Sequence, residues 1–101
     1  MKEQFFSKIV GTTFVTNSYE LMSNLGSGDK LLLQREPNNK YDSNAIAVLN
    51  TDSKKLGHIP KDTAVELSRH IDNGKQWQCY VSEITGHQYQ NLGCNIKIIL
   101  E

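Results

Sequence analysis

The sequence predicts a mainly β fold with one or two helices: a small barrel or sandwich of about six short strands. Three observations predict it. Turn-forming clusters punctuate the chain densely and evenly, at Gly11, Gly26-Ser27-Gly28-Asp29, Pro37-Asn38-Asn39, Asn50-Thr51-Asp52-Ser53, Asn73-Gly74 and Gly86. The pieces between them are mostly apolar or alternating β-type runs, and many short strands at close spacing belong to sandwiches and small barrels. At 101 residues the chain has room for one compact domain spanning 1–101, with a core that needs neither metal nor disulfide.

The strands follow in order. Phe6 to Val15 is the first run, with Gly11 as a bulge or a point of close backbone approach. Lys30 to Glu36 and Ala45 to Leu49 are the second and third. Leu56-Gly57-His58-Ile59 is a strand end that turns into a helix start at Pro60-Lys61. Gln76 to Ile84 alternates Trp77, Cys79 and Val81 with Gln78, Tyr80 and Ser82, the period of a half-buried strand. Asn95 to Leu100 is the last.

Two segments carry helical spacing. Ser18 to Leu25 sets Leu21 and Leu25 four apart and stops at Gly26. From Pro60 to Asn73, Ala64, Leu67, Ser68 and Ile71 share one face. Asp62 serves as N-cap of that helix, and Asn73-Gly74 supplies a left-handed stop.

Composition narrows the function. Eleven basic residues cancel eleven acidic ones, so no global field draws the chain to polyanions, and any such site is local. No apolar run reaches the length of a membrane span, and Met1 to Phe6 lacks the apolar stretch of an export signal. The expectation is a soluble cytoplasmic protein with Cys79 and Cys94 as reduced thiols. These cysteines sit inside strand patterns and read as small apolar residues. Together with His58, His70 and His87 they show no Cys-x-x-Cys or His-x-x-x-His spacing, so neither a metal nor a cofactor is expected. No P-loop, Gly-x-Ser-x-Gly or His-Glu-x-x-His motif is present, and no enzymatic activity is expected.

The most specific stretch is Glu36-Pro37-Asn38-Asn39-x-Tyr41-Asp42-x-Asn44-Ala45-Ile46-x-Val48, a polar loop entering an apolar strand. With Ile9 to Phe14 before it and Leu56 to Lys61 after it, this stretch resembles the HIRAN domain over nearly the whole chain, from about Phe6 to Leu100. The architecture that follows is of the small, OB-like β type. The family occurs at the front of helicase-type DNA-remodelling proteins and as short stand-alone bacterial chains. The resemblance implies a reader of single-stranded DNA that captures a free 3′ end, with any helicase chemistry in domains other than this one.

By matching position, the resemblance places Phe14 where an aromatic ring stacks on a base. It places Asp42 where a carboxylate accepts a hydrogen bond from the terminal 3′-hydroxyl, with Asn39 just before it, and His58 and Lys61 where backbone phosphates are held. A carboxylate suits a hydroxyl and repels a phosphate, so Asp42 would tell an end from a continuing strand. Two positions depart from the pattern. Thr13 stands where DNA-binding members carry a basic residue, and Val15 where a second aromatic is found.

Each of these residues also has a structural reading. Phe14 suits a core, His58 a satisfied position at a strand end, and Lys61 a solvated first turn. Asn38, Asn44 and Asp42 suit Asx-type turns. A protein-interaction domain that keeps the fold without the DNA site is accordingly the alternative function.

Overall fold

The computed structural model describes residues 3–12, 15, 17–86 and 92–101. Six antiparallel strands make one curled sheet in the order β1-β6-β5-β2-β3-β4, a half-barrel covered by two helices. The elements are β1 (Glu3–Lys8), α1 (Ser18–Ser23), β2 (Lys30–Arg35), β3 (Ile46–Leu49), β4 (Lys55–His58), α2 (Lys61–Asp72), β5 (Trp77–Thr85) and β6 (Gly93–Leu100). This is the mainly β, OB-like architecture expected from the sequence.

The alternating strands present one apolar row to the core. Leu31, Ile46, Val48, Leu56, Val81, Ile96, Ile98 and Leu100 are all buried there. Cys79 and Cys94 join them, and burial first of all pushes their thiols up to about 12 and about 11. They behave as small apolar side chains. In α2, Ala64, Leu67 and Ser68 face this core, with Ile71 half-buried at the rim. In α1 the deeply buried residue is Met22, while Leu21 and Leu25 pack at the core's edge. Neither helix is long and apolar enough to cross a membrane.

The structure corrects two local readings. The ladder of the first strand with β6 ends at Lys8, followed by one last bond from the Ile9 N–H to the Cys94 carbonyl. Val10 then crosses to bridge His58 of β4, and Gly11, at φ +72°, turns the chain away. Close approach occurs at a different glycine. A Cβ on Gly11 would meet nothing, whereas one on Gly57 would lie 2.5 Å from the Val10 carbonyl oxygen and 2.6 Å from Ile9 Cγ2. The second correction concerns Asp62. The N-cap of α2 is Pro60, and Asp62 lies inside the first turn, where its carboxylate accepts the Thr63 N–H at 2.9 Å. Proline, with φ held near its preferred value and ψ extended, opens the helix without a capping side chain. The stop is as expected: Gly74 has φ +86° and donates its N–H to the Ile71 carbonyl.

Candidate nucleic-acid interface

Two loops meet beside the Val10–His58 closure. The first joins β2 to β3, and its geometry comes from its own polar side chains. Pro37 and Asn38 form a turn closed by Asn39 N–H donating to the Glu36 carbonyl at 3.0 Å. Asn39 Oδ1 then accepts the backbone N–H groups of Tyr41 and Asp42 at 2.9 and 3.1 Å. Asp42 Oδ1 in turn accepts the Asn44 N–H at 2.9 Å, and the Ala45 N–H returns to the Asp42 carbonyl. Successive Asx-type bonds thus replace the ladder bonds that the loop gives up.

The second loop carries β4 into α2. His58 exchanges backbone hydrogen bonds with Val10, and the Ile59 N–H bonds to the Ile46 carbonyl. This register puts His58 and Lys61 opposite the Asn39–Asp42 loop. Asn39, Tyr41, Asp42, His58 and Lys61 together line a shallow depression of about 240 Å³, floored by Val10, Ala45 and Ile59. Four of the five sequence-identified site residues therefore converge. The fifth, Phe14, lies outside the described residues, as does Thr13.

Glu36 ties the two loops together. Its carboxylate accepts hydrogen bonds from Lys55 Nζ at 2.9 Å, His58 Nε2 at 2.7 Å and Asn39 Nδ2 at 3.2 Å. Partial burial works against its ionisation, but those donors outweigh burial and hold the carboxyl at about 2. Below this point Arg35 anchors the base of the loop. It makes a two-pronged pair with Asp72 of α2 and donates to the Ala45 carbonyl.

The groups divide into those the fold uses and those it leaves open. The Asn39 side chain holds Tyr41 and Asp42 through Oδ1 and Glu36 through one Nδ2 hydrogen, while it also lines the depression. His58 Nε2 is engaged by Glu36, leaving Nδ1 without a partner among the described residues. Asp42 is half-buried and commits only Oδ1 to a hydrogen bond; Oδ2 has no hydrogen-bond partner among them, and the Arg35 guanidinium is near enough to act on the carboxylate through its charge. Lys61 is exposed and makes no ion pair among the described residues. Tyr41, which sequence reasoning did not place among the contacts, is 82% exposed, with the Lys40 ammonium 5.1 Å from its ring centre. Its position between Asn39 and Asp42 was the available signal, because an aromatic ring in a polar Asx loop has no core to enter.

A larger depression of about 400 Å³ lies at the opposite ends of β2 and β3, lined by Leu21, Leu25, Asp29, Asn50 and Asp52 among others. Its chemistry is wrong for a phosphate. Two carboxylates, Asp29 and Asp52, line it against the single ammonium of Lys30 at its edge, and Asn50 Oδ1 and Asp29 Oδ2 are taken up by turn hydrogen bonds. Among the described residues, no group of three His, Cys, Asp or Glu side chains is placed to hold a metal.

Three similarities match this arrangement. The chain is 41% identical over 49 residues to the human helicase-like transcription factor, covering 48% of this chain and 5% of that protein. A solved Lactobacillus plantarum protein superposes with a TM-score of 0.79 at 26% identity, over 100% of both chains. The HIRAN domain of HLTF in its DNA-bound conformation superposes with a TM-score of 0.61 at 27% identity, over 95% of this chain and 74% of that one. The chain thus spans only a small fraction of the curated relative it matches. Since the family model of the HIRAN domain matches residues 2–101, fold and loop signature alike show that this chain belongs to the HIRAN domain family.

Proposed function

We propose that the chain is a single-stranded nucleic-acid-binding module that captures a DNA 3′ end in the depression between the β2–β3 loop and the start of α2. It acts by binding, with no chemistry of its own. The observation that carries this reading is the Asp42 carboxylate. It is half-buried, fixed through Oδ1 and open at Oδ2, beside an exposed ring and an exposed ammonium group. An acceptor held in that way suits a neutral donor such as a terminal hydroxyl and disfavours a phosphate.

The other groups take complementary roles. Tyr41 offers a face for base stacking, which is tolerant of sequence. Lys61 offers a point charge to a backbone phosphate, and the free Nδ1 of His58 lies on the same wall. Phe14 keeps the stacking role that the family resemblance implies. The DNA-bound conformation solved for a 27% identical HIRAN domain supports nucleic acid as the ligand class.

Titration of a short 5′-labelled oligonucleotide with a free 3′-OH, followed by fluorescence anisotropy, tests this assignment. With Thr13 in place of a basic residue, micromolar affinity is expected. Tyr41→Ala should weaken binding about fivefold or more, the lower end for one stacked base. Lys61→Ala should weaken it and lower the salt slope by about 0.7, the value for one phosphate contact on a single strand. Failure of wild type to bind at low salt would contradict the assignment and favour a protein partner.

A further inference from the structure

We propose that the outer face of the sheet is a second nucleic-acid contact surface, over which a strand seated in the depression continues. This rests on the function proposed above, and it concerns residues remote from that site.

The register of four neighbouring strands puts one row of side chains across this face. Phe6 of β1 is opposite Lys97 of β6, Lys97 is opposite Tyr80 of β5, and Tyr80 is opposite Lys30 of β2. Their chain neighbours Leu31, Cys79, Ile96 and Ile98 are fully buried, so by strand alternation the row points away from the core. It therefore reads aromatic, ammonium, aromatic, ammonium. Phe6 is a large apolar ring that is 70% exposed. Lys30 and Lys97 make no ion pair among the described residues, although the chain as a whole is electrically neutral. Tyr80 and Lys97 are half-exposed, and the Tyr80 hydroxyl donates to Gln78 Oε1, which steadies that ring at its edge.

The adjoining rows match the same ligand. Gln4, Ile99 and Gln78 lie on one side, uncharged, and Lys8, Asn95 and Glu83 on the other, where the two charges cancel. The positive charge is concentrated in the aromatic row. Phe6 and Tyr80 are separated by two interstrand spacings, about 10 Å, with Lys97 between them. A single strand laid across the row puts bases on the two rings and a phosphate over the intervening ammonium. Sheets that read single strands combine the same elements.

The surface is continuous with the depression. Val10 floors that site, and Lys8 and Phe6 follow on alternate residues of the same chain segment, about 13 Å away at the rise of an extended strand. A trinucleotide seated by its 3′ end stays centred on the depression, whereas a twelve-nucleotide strand is long enough to cover the whole row.

The test compares 3-mer and 12-mer oligothymidylates, both with a free 3′-OH, on wild type, Lys30→Gln/Lys97→Gln and Phe6→Ala, with melting temperatures as the fold control. The 12-mer should bind wild type at least tenfold more tightly than the 3-mer. The double variant should remove most of that gain and lower the 12-mer salt slope by about 1.4, for two phosphate contacts on a single strand. Phe6→Ala should weaken the 12-mer about fivefold. Affinity for the 3-mer should not move in either variant. Unchanged 12-mer binding in the double variant overturns the second surface and leaves the depression intact. If the 3-mer never binds but the 12-mer does so in a Lys97-dependent way, the depression reading fails and the outer face stands. If Phe6→Ala turns a dimer into a monomer without changing 12-mer affinity, the face is an interface between copies and the proposal is wrong.

Discussion

The backbones of Val10 and His58 exchange hydrogen bonds of 2.8 and 2.9 Å, and this pair closes the curled sheet beside the depression. It forms only because residue 57 has no side chain. In Gly57→Ala, the new Cβ would meet the Val10 carbonyl oxygen and Ile9 Cγ2 well inside van der Waals distance. The substitution should cost about 1–3 kcal/mol, the range for overpacking a tight site. Amide exchange at Val10 and His58 should accelerate before that at the β5–β6 amides. An unchanged urea midpoint would mean the closure is looser than described.

Stability should fall in acid through Glu36. Its carboxyl sits at about 2 in the folded protein against 4.5 for the free group. The unfolded chain therefore takes up the proton more readily, and protons favour unfolding. The contribution is complete above pH 4.5 and disappears as pH falls towards 2. Since Lys55 is 42% and His58 32% exposed, solvent screening reduces it to about 1–2 kcal/mol. Urea unfolding at pH 6 and pH 3 should show a larger acid loss for wild type than for Glu36→Gln. Equal losses would place the acid sensitivity elsewhere.

Asn39 is expected to matter through position. Asn39→Ala removes one hydrogen bond to Glu36 and two to the Tyr41 and Asp42 amides. These groups are partly solvated, so the stability loss should be only about 1–2 kcal/mol. Discrimination between oligonucleotide ends should fall far more than that loss suggests, because the Asp42 carboxylate is no longer held. Asn39→Asp keeps the acceptor for the two amides but sets a like charge against Glu36 in place of a donor, so it should restore the discrimination only in part. An Asn39→Ala variant that stays folded and discriminates between the ends as wild type does would contradict the positioning role.

Leu67 is fully buried where α2 meets the sheet. Leu67→Ala should cost about 2–4 kcal/mol in a urea melt, the range for truncating a packed leucine. A cost under about 1 kcal/mol would mean that the helix is phased differently.

The strands were legible because their cores are written in short apolar or alternating runs such as 46–49 and 96–100, and the α2 face because Ala64, Leu67 and Ser68 recur at helical spacing. The boundaries were less legible. The extent of β1 is decided at Val10, which leaves β6 to bridge a residue 48 positions later, and no local pattern encodes that crossing. Local spacing likewise offered Asp62 as a cap, whereas the chain path through Ile59 and Pro60 sets the cap two residues earlier. At the site, the motif named Asn39, Asp42, His58 and Lys61, and the fold brings these four to one depression. Whether each faces a ligand or the fold depends on hydrogen bonds that bridge distant segments, such as Glu36 to His58 and Lys55.

The most direct measurement compares a short single-stranded oligonucleotide ending in 3′-OH with the same strand ending in 3′-phosphate, on wild type and Asp42→Ala. Wild type should prefer the hydroxyl end at least about tenfold, because the phosphate removes the donor and sets like charges together. Asp42→Ala should bind both ends with nearly equal affinity while melting like wild type. Equal affinity of wild type for the two ends would contradict end capture by Asp42.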